Sequence, residues 1–502
     1  MRSLFALLPL GFLLAACSTK QQKKIAVADI EPGDYRPAYH YAPPQNWTND
    51  PNGLVYLDGE YHLFYQYNPE GDTWGHMSWA HAVSPDLKTW EELPLALPEY
   101  RNADSTETMI FSGSVVVDSL NTSGFFQPGF RSGMVAIYTS HVHKKVNGND
   151  EGVAQHQSLA YSADKGRTWA YYEKNPVLDL GMKDFRDPNV FWYGDKWKMV
   201  VVKPHEYLVQ IYESDDLKKW KLLSEFGKVG DVAKIWECPS LFRVPVEGSD
   251  EEKWVMLISS AAEDTDFTGM QYFVGSFDGE RFRADRQKGV RRVDFGKDFY
   301  AAIPFNNLPA DQPKPIIMGW ASNWAYANQT PTVGFRGMFS LPRQLSLRAD
   351  SSGGYHLIQQ SIFRKEIVTK TLTMKARDLD AGVVLKMDDN SYRLDLTFEL
   401  KGTKDFQIKL LSNEGEAVIL SYDIAAQKLT FDRTQSGNVA FHKKFASVES
   451  MTVPPVDGTL KLNIFVDNSI VEIFANNGAA VLTDLVFPTK KNGDVIIGLV
   501  SQ

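Results

Sequence analysis

Between about residues 40 and 345 the apolar positions fall in short runs of the length and alternation of β-strands, separated by Gly, Asp, Asn and Pro. Residues 61–67 (YHLFYQY), 196–202 (KWKMVVV) and 254–258 (WVMLI) are typical, and a sustained helical period is almost absent. Beyond Leu347 the pattern changes: the stretch DSSGG at 350–354 punctuates the chain, and alternating strands such as 460–465 and 470–474 run on to the end. An all-β chain follows, with a first domain over residues 36–347 and a β-sandwich over 354–502.

A recurrence organises the first domain. SPDLKTW at 84–90, SADKGRTW at 162–169, SDDLKKW at 214–220 and SFDGERF at 276–282 share a Ser, an Asp turn and a closing aromatic, each after an apolar strand. Repeats of this kind mark stacked architectures, and Trp90, Trp169 and Trp220 are then outer-strand packing residues. Upstream of the units lies a second recurrence, an acidic residue and a proline before an apolar strand: DPNGLVY at 50–56, DPNVFW at 187–192 and ECPSLF at 237–242. The intervening unit holds FSGSVVV at 111–117 in the matching place. A further unit at 315–321 brings the count to about five, so the expected architecture is a five-bladed β-propeller. The first strand of every blade borders the central channel, so Asp50, Asp187 and Glu237 are expected to converge there.

Targeting and composition narrow the setting. Arg2 precedes a short apolar run, 4–16, too short for a mature membrane span. Its end, LAACS at 14–18, resembles the bacterial lipobox, which makes residues 1–17 a lipoprotein signal peptide and Cys17 the lipidated residue that holds the chain to a membrane. Residues 18–35 read as a solvated tether with no acidic cluster, which favours an exported, periplasm-facing protein over one at the cell surface. Cys238 is then the single mature cysteine, so an internal disulfide is excluded. The net charge of −9 is spread without long single-sign runs, which argues against nucleic acid and for a neutral ligand. Neither a metal-ligand framework nor a phosphate-binding glycine loop stands out, so no metal and no cofactor are expected; no obligate protein partner is inferred.

Three carboxylates in one funnel suit glycoside hydrolysis, in which one carboxylic acid protonates the departing oxygen and a carboxylate attacks or stabilises the oxocarbenium-like centre. At these residues the chain resembles glycoside hydrolase family thirty-two, the invertase, inulinase and levanase group. WTNDPNG at 47–53 resembles the family signature, with Thr48 where Met is common, and FRDP at 185–188 and WECP at 236–239 resemble its other two acidic motifs. YHLFYQYNP at 61–69, FSGS at 111–114, DFYA at 298–301, LPRQLSL at 341–347 and FVDNSIVEIFANNG at 465–478 extend the likeness over the mature chain.

The resemblance implies a five-bladed propeller followed by a β-sandwich, with Asp50 as nucleophile, Glu237 as general acid/base and Asp187 as transition-state stabiliser. It implies a retaining mechanism on β-fructofuranosyl bonds of fructans such as levan and inulin, and no metal. Asn49, Gln66, Trp74, Phe111, Ser112, Arg186, Trp320 and Asp298 are the expected substrate contacts, with Tyr300 a further one; Cys238, beside the acid Glu237, is placed to tune it by a weak S–H contact. GWASNWAYANQTPT at 319–332 resembles exo-acting members, which favours release of fructose from chain ends. An endo-acting levanase or inulinase, an arabinanase-like inverting propeller, and a non-catalytic fructan-binding lipoprotein are the alternatives, and fructosyl transfer shares the same intermediate.

Overall fold

The computed structural model describes residues 35–500 apart from 147–148, 234, 262–268, 352, 364–366, 368 and 414. Cys17, the signal segment and the tether lie outside the described residues. Five antiparallel sheets follow one another along the chain, each built in sequence order around a common axis. Their first strands are Asn46–Leu57, Glu107–Val117, Arg186–Tyr193, Ile235–Pro245 and Tyr300–Pro304. Phe335–Arg336 pairs in parallel with the first of these, so residues that follow the second strand of blade five close the ring onto blade one.

The Ser-x-Asp repeat is the turn between third and fourth strands. Leu87, Lys165 and Leu217 adopt left-handed φ of 64°, 57° and 63°, and Ser84 and Ser162 Oγ accept the Leu87 and Gly166 N–H at 2.7 and 2.8 Å. The closing tryptophans pack between blades, and Trp169 and Trp220 donate their indole N–H to Gly166 and Leu217 carbonyls. A short polar side chain that satisfies turn amides lets one sequence unit recur at the rims of the first four blades.

Blade five runs past the expected boundary. Tyr355–Ser361 pairs along its length with Arg343–Ala349 as the fourth strand of that blade, so the propeller ends at residue 361 and not at 347. Two sheets follow, of five and six strands, around an aliphatic core that includes Leu394, Ile408, Leu420, Leu462 and Ile473.

Buried charges fasten the two domains. Arg343 reaches from blade five to Asp294 at 2.8 Å and to the sandwich residues Glu472 and Thr483 at 2.9 and 2.6 Å. Arg433 of the sandwich reaches Asp298 at 2.6 Å and Asp484 at 3.4 Å. The first described residues are stitched to the same seam: the amides of Ala38, Tyr39 and His40 all donate to the Asp467 carboxylate, and the His40 ring lies between Asp467 and Glu472. At the far end of the axis Asn306 closes the channel, its amide nitrogen donating to the carbonyls of Val115 at 3.0 Å and Val190 at 3.2 Å, in blades two and three.

Candidate active site

Each innermost strand carries an irregularity where it passes the funnel. The register shifts between Thr48 and Pro51, Phe111 and Gly113, Arg186 and Asn189, Glu237 and Ser240, and Tyr300 and Ile303. A bulge bends the strand and re-aims a side chain, here toward the axis. In blades three to five the equivalent residues Asp187, Cys238 and Ala301 have φ of 63°, 47° and 52°, and each is preceded by a functional side chain: Arg186, Glu237 and Tyr300. The prolines 188 and 239 lack the N–H that such a kink would leave unpaired. Glu237 therefore stands one residue ahead of the position of Asp187, a half-step that the shared proline pattern conceals.

The structure brings Asp50, Asp187 and Glu237 together. Asp50 accepts hydrogen bonds from Ser112 Oγ at 2.7 Å and Asn49 Nδ2 at 3.1 Å. The Cys238 thiol lies 3.5 Å from the same Asp50 oxygen and 3.7 Å from Asp187 Oδ2, and the Cys238 amide donates to Asp187 at 2.9 Å. Glu237 accepts from Arg186 at 3.1 and 3.2 Å through one oxygen, and from the Tyr300 hydroxyl at 2.5 Å through the other. Arg186 shares its charge with Asp184 at 2.9 Å and Asp187 at 3.9 Å.

Electrostatics follow from this crowding. Burial raises the pKa of Asp50, and the Glu237 charge adds to it, against the hydrogen bonds from Ser112, Asn49 and Cys238. Burial also raises Asp187, with Glu237 and Asp50 in support and Arg186 in opposition. Burial and the three carboxylates hold the Cys238 thiol well above its usual range, so it stays protonated and is no nucleophile.

The remaining expected contacts divide. Ser112 and Asn49 hold Asp50, and Asn49 is itself fixed by the Trp47 indole at 2.8 Å. Gln66 is buried and its amide nitrogen ties Asn52 to the Ile110 carbonyl. Trp74 is 38% exposed at the rim, its ring edge-on to Phe111, which stacks flat on His141 with centroids 4.4 Å apart. Two expectations are corrected. Asp298 is wholly buried at the domain seam, bonded to Arg433, Tyr326 and the Leu485 amide, and does not face the funnel. Trp320 is likewise 0% exposed, a core ring between Trp47 and Trp324.

Some participants were not foreseen. Asp184 pairs with Arg186, Thr139 accepts the Asp187 N–H at 3.0 Å, and Asn328 accepts the Trp74 N–H at 2.9 Å. Only Asp184 had a sequence signal, its place two residues before Arg186. Among the described residues Glu70, His76 and Glu99 bring ligand atoms within 4.8 Å of one another.

Over most of its length the chain is similar to known proteins. Residues 40–361 match the glycosyl hydrolases family 32 N-terminal domain, and residues 358–502 match the family 32 C-terminal domain. A levanase of Bacillus subtilis is 43% identical over 472 residues, covering 91% of this chain and 67% of its own. An extracellular exo-inulinase of Aspergillus awamori is 38% identical over 489 residues, covering 91% of this chain and 90% of its own. The crystal structure of the A. awamori exo-inulinase superposes with a TM-score of 0.82 over 93% of this chain and 96% of that one, at 36% identity. A fructofuranosidase of Schwanniomyces occidentalis in complex with fructose gives a TM-score of 0.82 at 33% identity, over 94% of this chain and 96% of that one. With both domains matched and its inner strands carrying the acids, this chain belongs to glycoside hydrolase family 32.

Proposed function

We propose that this protein is a retaining glycoside hydrolase that removes fructose from the ends of β-linked fructans, with Asp50 as nucleophile, Glu237 as general acid/base and Asp187 as the stabiliser of developing charge. The observation that carries the reading is the division of labour among the hydrogen bonds. Asp50 is held by Ser112, Asn49 and Cys238 for attack, whereas Glu237 is held from the other side by Arg186 and Tyr300.

Glu237 donates its proton to the leaving oxygen while Asp50 bonds to the anomeric carbon; Glu237 then deprotonates the water that releases fructose from Asp50. Arg186 stays paired with Asp184 when Glu237 is protonated, so the proton can come and go without stranding a buried guanidinium. Asp187, oriented by the Cys238 amide, is placed to accept from fructose hydroxyls as the ring gains positive charge.

Exo action is supported by the likeness to exo-inulinases and by the long hairpin of Met134–Val146 and Asn149–Ser162. That hairpin is paired well beyond the level of Phe111, whose ring stacks on its His141. Export with a lipid at Cys17 completes the proposal, supported by the lipobox-like LAACS and tested by labelling with radioactive palmitate in wild type and Cys17→Ala. The decisive test of mechanism is Glu237→Gln, expected to bind fructan but to lose turnover on substrates with poor leaving groups; unchanged turnover refutes the assignment. Thin-layer analysis of early products should show fructose alone, and a ladder of oligosaccharides refutes exo action. NMR of the first-formed sugar should show a retained anomer.

A further inference from the structure

The inner strands begin at the funnel and end on the opposite face of the propeller. There the end of Arg186–Tyr193 carries Trp192, five residues and so roughly 17 Å beyond Asp187. Trp192 is 39% exposed, and its ring stands edge-to-face against Trp197 at 4.8 Å, which fixes the orientation of the face it offers to solvent.

A groove flanks it on each side. One of about 620 Å³ lies between blades three and four, lined by Phe191, Trp192, Tyr193, Phe242, Arg243 and Trp254. The other, about 340 Å³, lies between blades two and three, with Leu120 and Asn307 on its wall.

Arg243 and Asp118 are the charged residues of the lining; Asp118 is wholly buried and its carboxylate accepts from the Thr122 and Ser123 amides, and the rest of the lining is neutral and rich in planar groups. The Arg243 guanidinium lies over Trp254 at 5.3 Å and Tyr193 at 5.7 Å, and its charge is matched by Glu252 at 3.4 Å. Beside the grooves Lys196 is paired with Asp215. These two ion pairs interrupt the apolar surface, which disfavours a lipid bilayer, since that asks for a continuous apolar patch. A ribbon of neutral rings edged with hydroxyls fits: C–H faces meet indole and phenol rings, and hydroxyls meet the guanidinium and the Asn307 amide.

We propose that the paired grooves around Trp192 are a second fructan-binding site, distinct from the funnel, that holds internal segments of the polymer. The inference rests on the β-fructosidase reading. Holding one segment of a chain raises the effective concentration of its ends at the funnel, so the benefit is confined to substrates long enough to span the propeller.

The test compares wild type, Trp192→Ala and Arg243→Ala in the full-length protein on levan or inulin and on a short fructo-oligosaccharide. The KM for polymer is expected to rise about three- to tenfold in both variants, while kcat and the constants for the short substrate stay within about twofold. Retardation in native gels containing levan should weaken in parallel. Arg243 is exposed enough that its removal leaves folding intact, so the Arg243 variant guards against a misfolded Trp192 variant. Unchanged polymer KM in both variants overturns the second site, as does an equal loss on short and long substrates. Loss of self-association or of vesicle binding with polymer KM intact also overturns it and reassigns the surface. A wild type that hydrolyses neither substrate refutes the β-fructosidase reading itself; hydrolysis of both with unmoved polymer KM refutes the second site alone.

Discussion

Replacing Asp298 by Asn separates two roles for a residue that sits two positions before Tyr300 of the active site. In the structure Asp298 is 0% exposed and faces Arg433 at 2.6 Å, with Tyr326 and the Leu485 amide completing its hydrogen bonds. The carboxamide keeps the shape but removes the charge that faces Arg433. Breaking a buried ion pair by loss of one partner costs about 3 to 5 kcal/mol, here at the lower end because Asp484 remains 3.4 Å from Arg433. At roughly 2 to 4 °C per kcal/mol for domains of this size, the melting temperature should fall by about 6 to 12 °C. Arg433→Met should fall further, since it leaves Asp298 and Asp484 buried without their cation. Calorimetry measures the melting shift, and steady-state kinetics at 25 °C on a short fructo-oligosaccharide should find kcat/KM within about threefold of wild type. A rise in KM of about tenfold with an unmoved melting temperature would mean that Asp298 touches sugar and does not hold the seam.

Four further outcomes follow from named contacts and buried groups. Cys238→Ala removes the thiol between Asp50 and Asp187 but keeps the backbone donor, so kcat should drop only about three- to tenfold, as for a lost neutral hydrogen bond; complete loss of activity would refute a supporting role. Asn306→Ala strips donors from two carbonyls at the closed end of the channel and should cost about 1 to 3 kcal/mol in urea unfolding without changing KM. Burial lowers the His62 pKa to about 4, so the unfolded chain binds its proton first and stability should fall as pH drops from about 6.5 to 4, by roughly 3 kcal/mol from this group. A melting curve in that window should therefore be flatter for His62→Gln than for wild type. His40 works in the other direction: although burial pulls it down, Asp467 and Glu472 outweigh this and raise it to about 9, so its contribution, full below about 6.5, disappears as pH rises through 9.

The sequence exposed the blade repeat because the turn after the third strand is a local device, solved by a Ser and an Asp in blades one to four. It exposed the acids because strands that begin each blade share one axis. What it concealed depends on direction and partner. DFYA is a single short motif, yet Asp298 is taken by the domain seam while Tyr300 reaches Glu237, and partners distant in sequence, Arg433 and the Leu485 amide among them, decide this. DSSGG resembled a domain linker, but it is the hairpin turn between Arg343–Ala349 and Tyr355–Ser361; a turn and a linker draw on the same residues. Trp320 has the composition of a sugar platform, and burial between two other indoles made it a wall of the core.

The stitch between residues 38–40 and Asp467 has a temporal side. A ribosome delivers the first of these residues more than four hundred positions before their acceptor, so three amides and the His40 ring wait for partners until nearly the whole chain exists. Blade one can pair its own strands early, but its entry segment cannot be locked at the seam until Asp467 and Glu472 have arrived. Truncations that end before residue 467 should thus leave this amino-terminal edge accessible to proteases, and a chain still in transit remains incompletely sealed until its last strands are available.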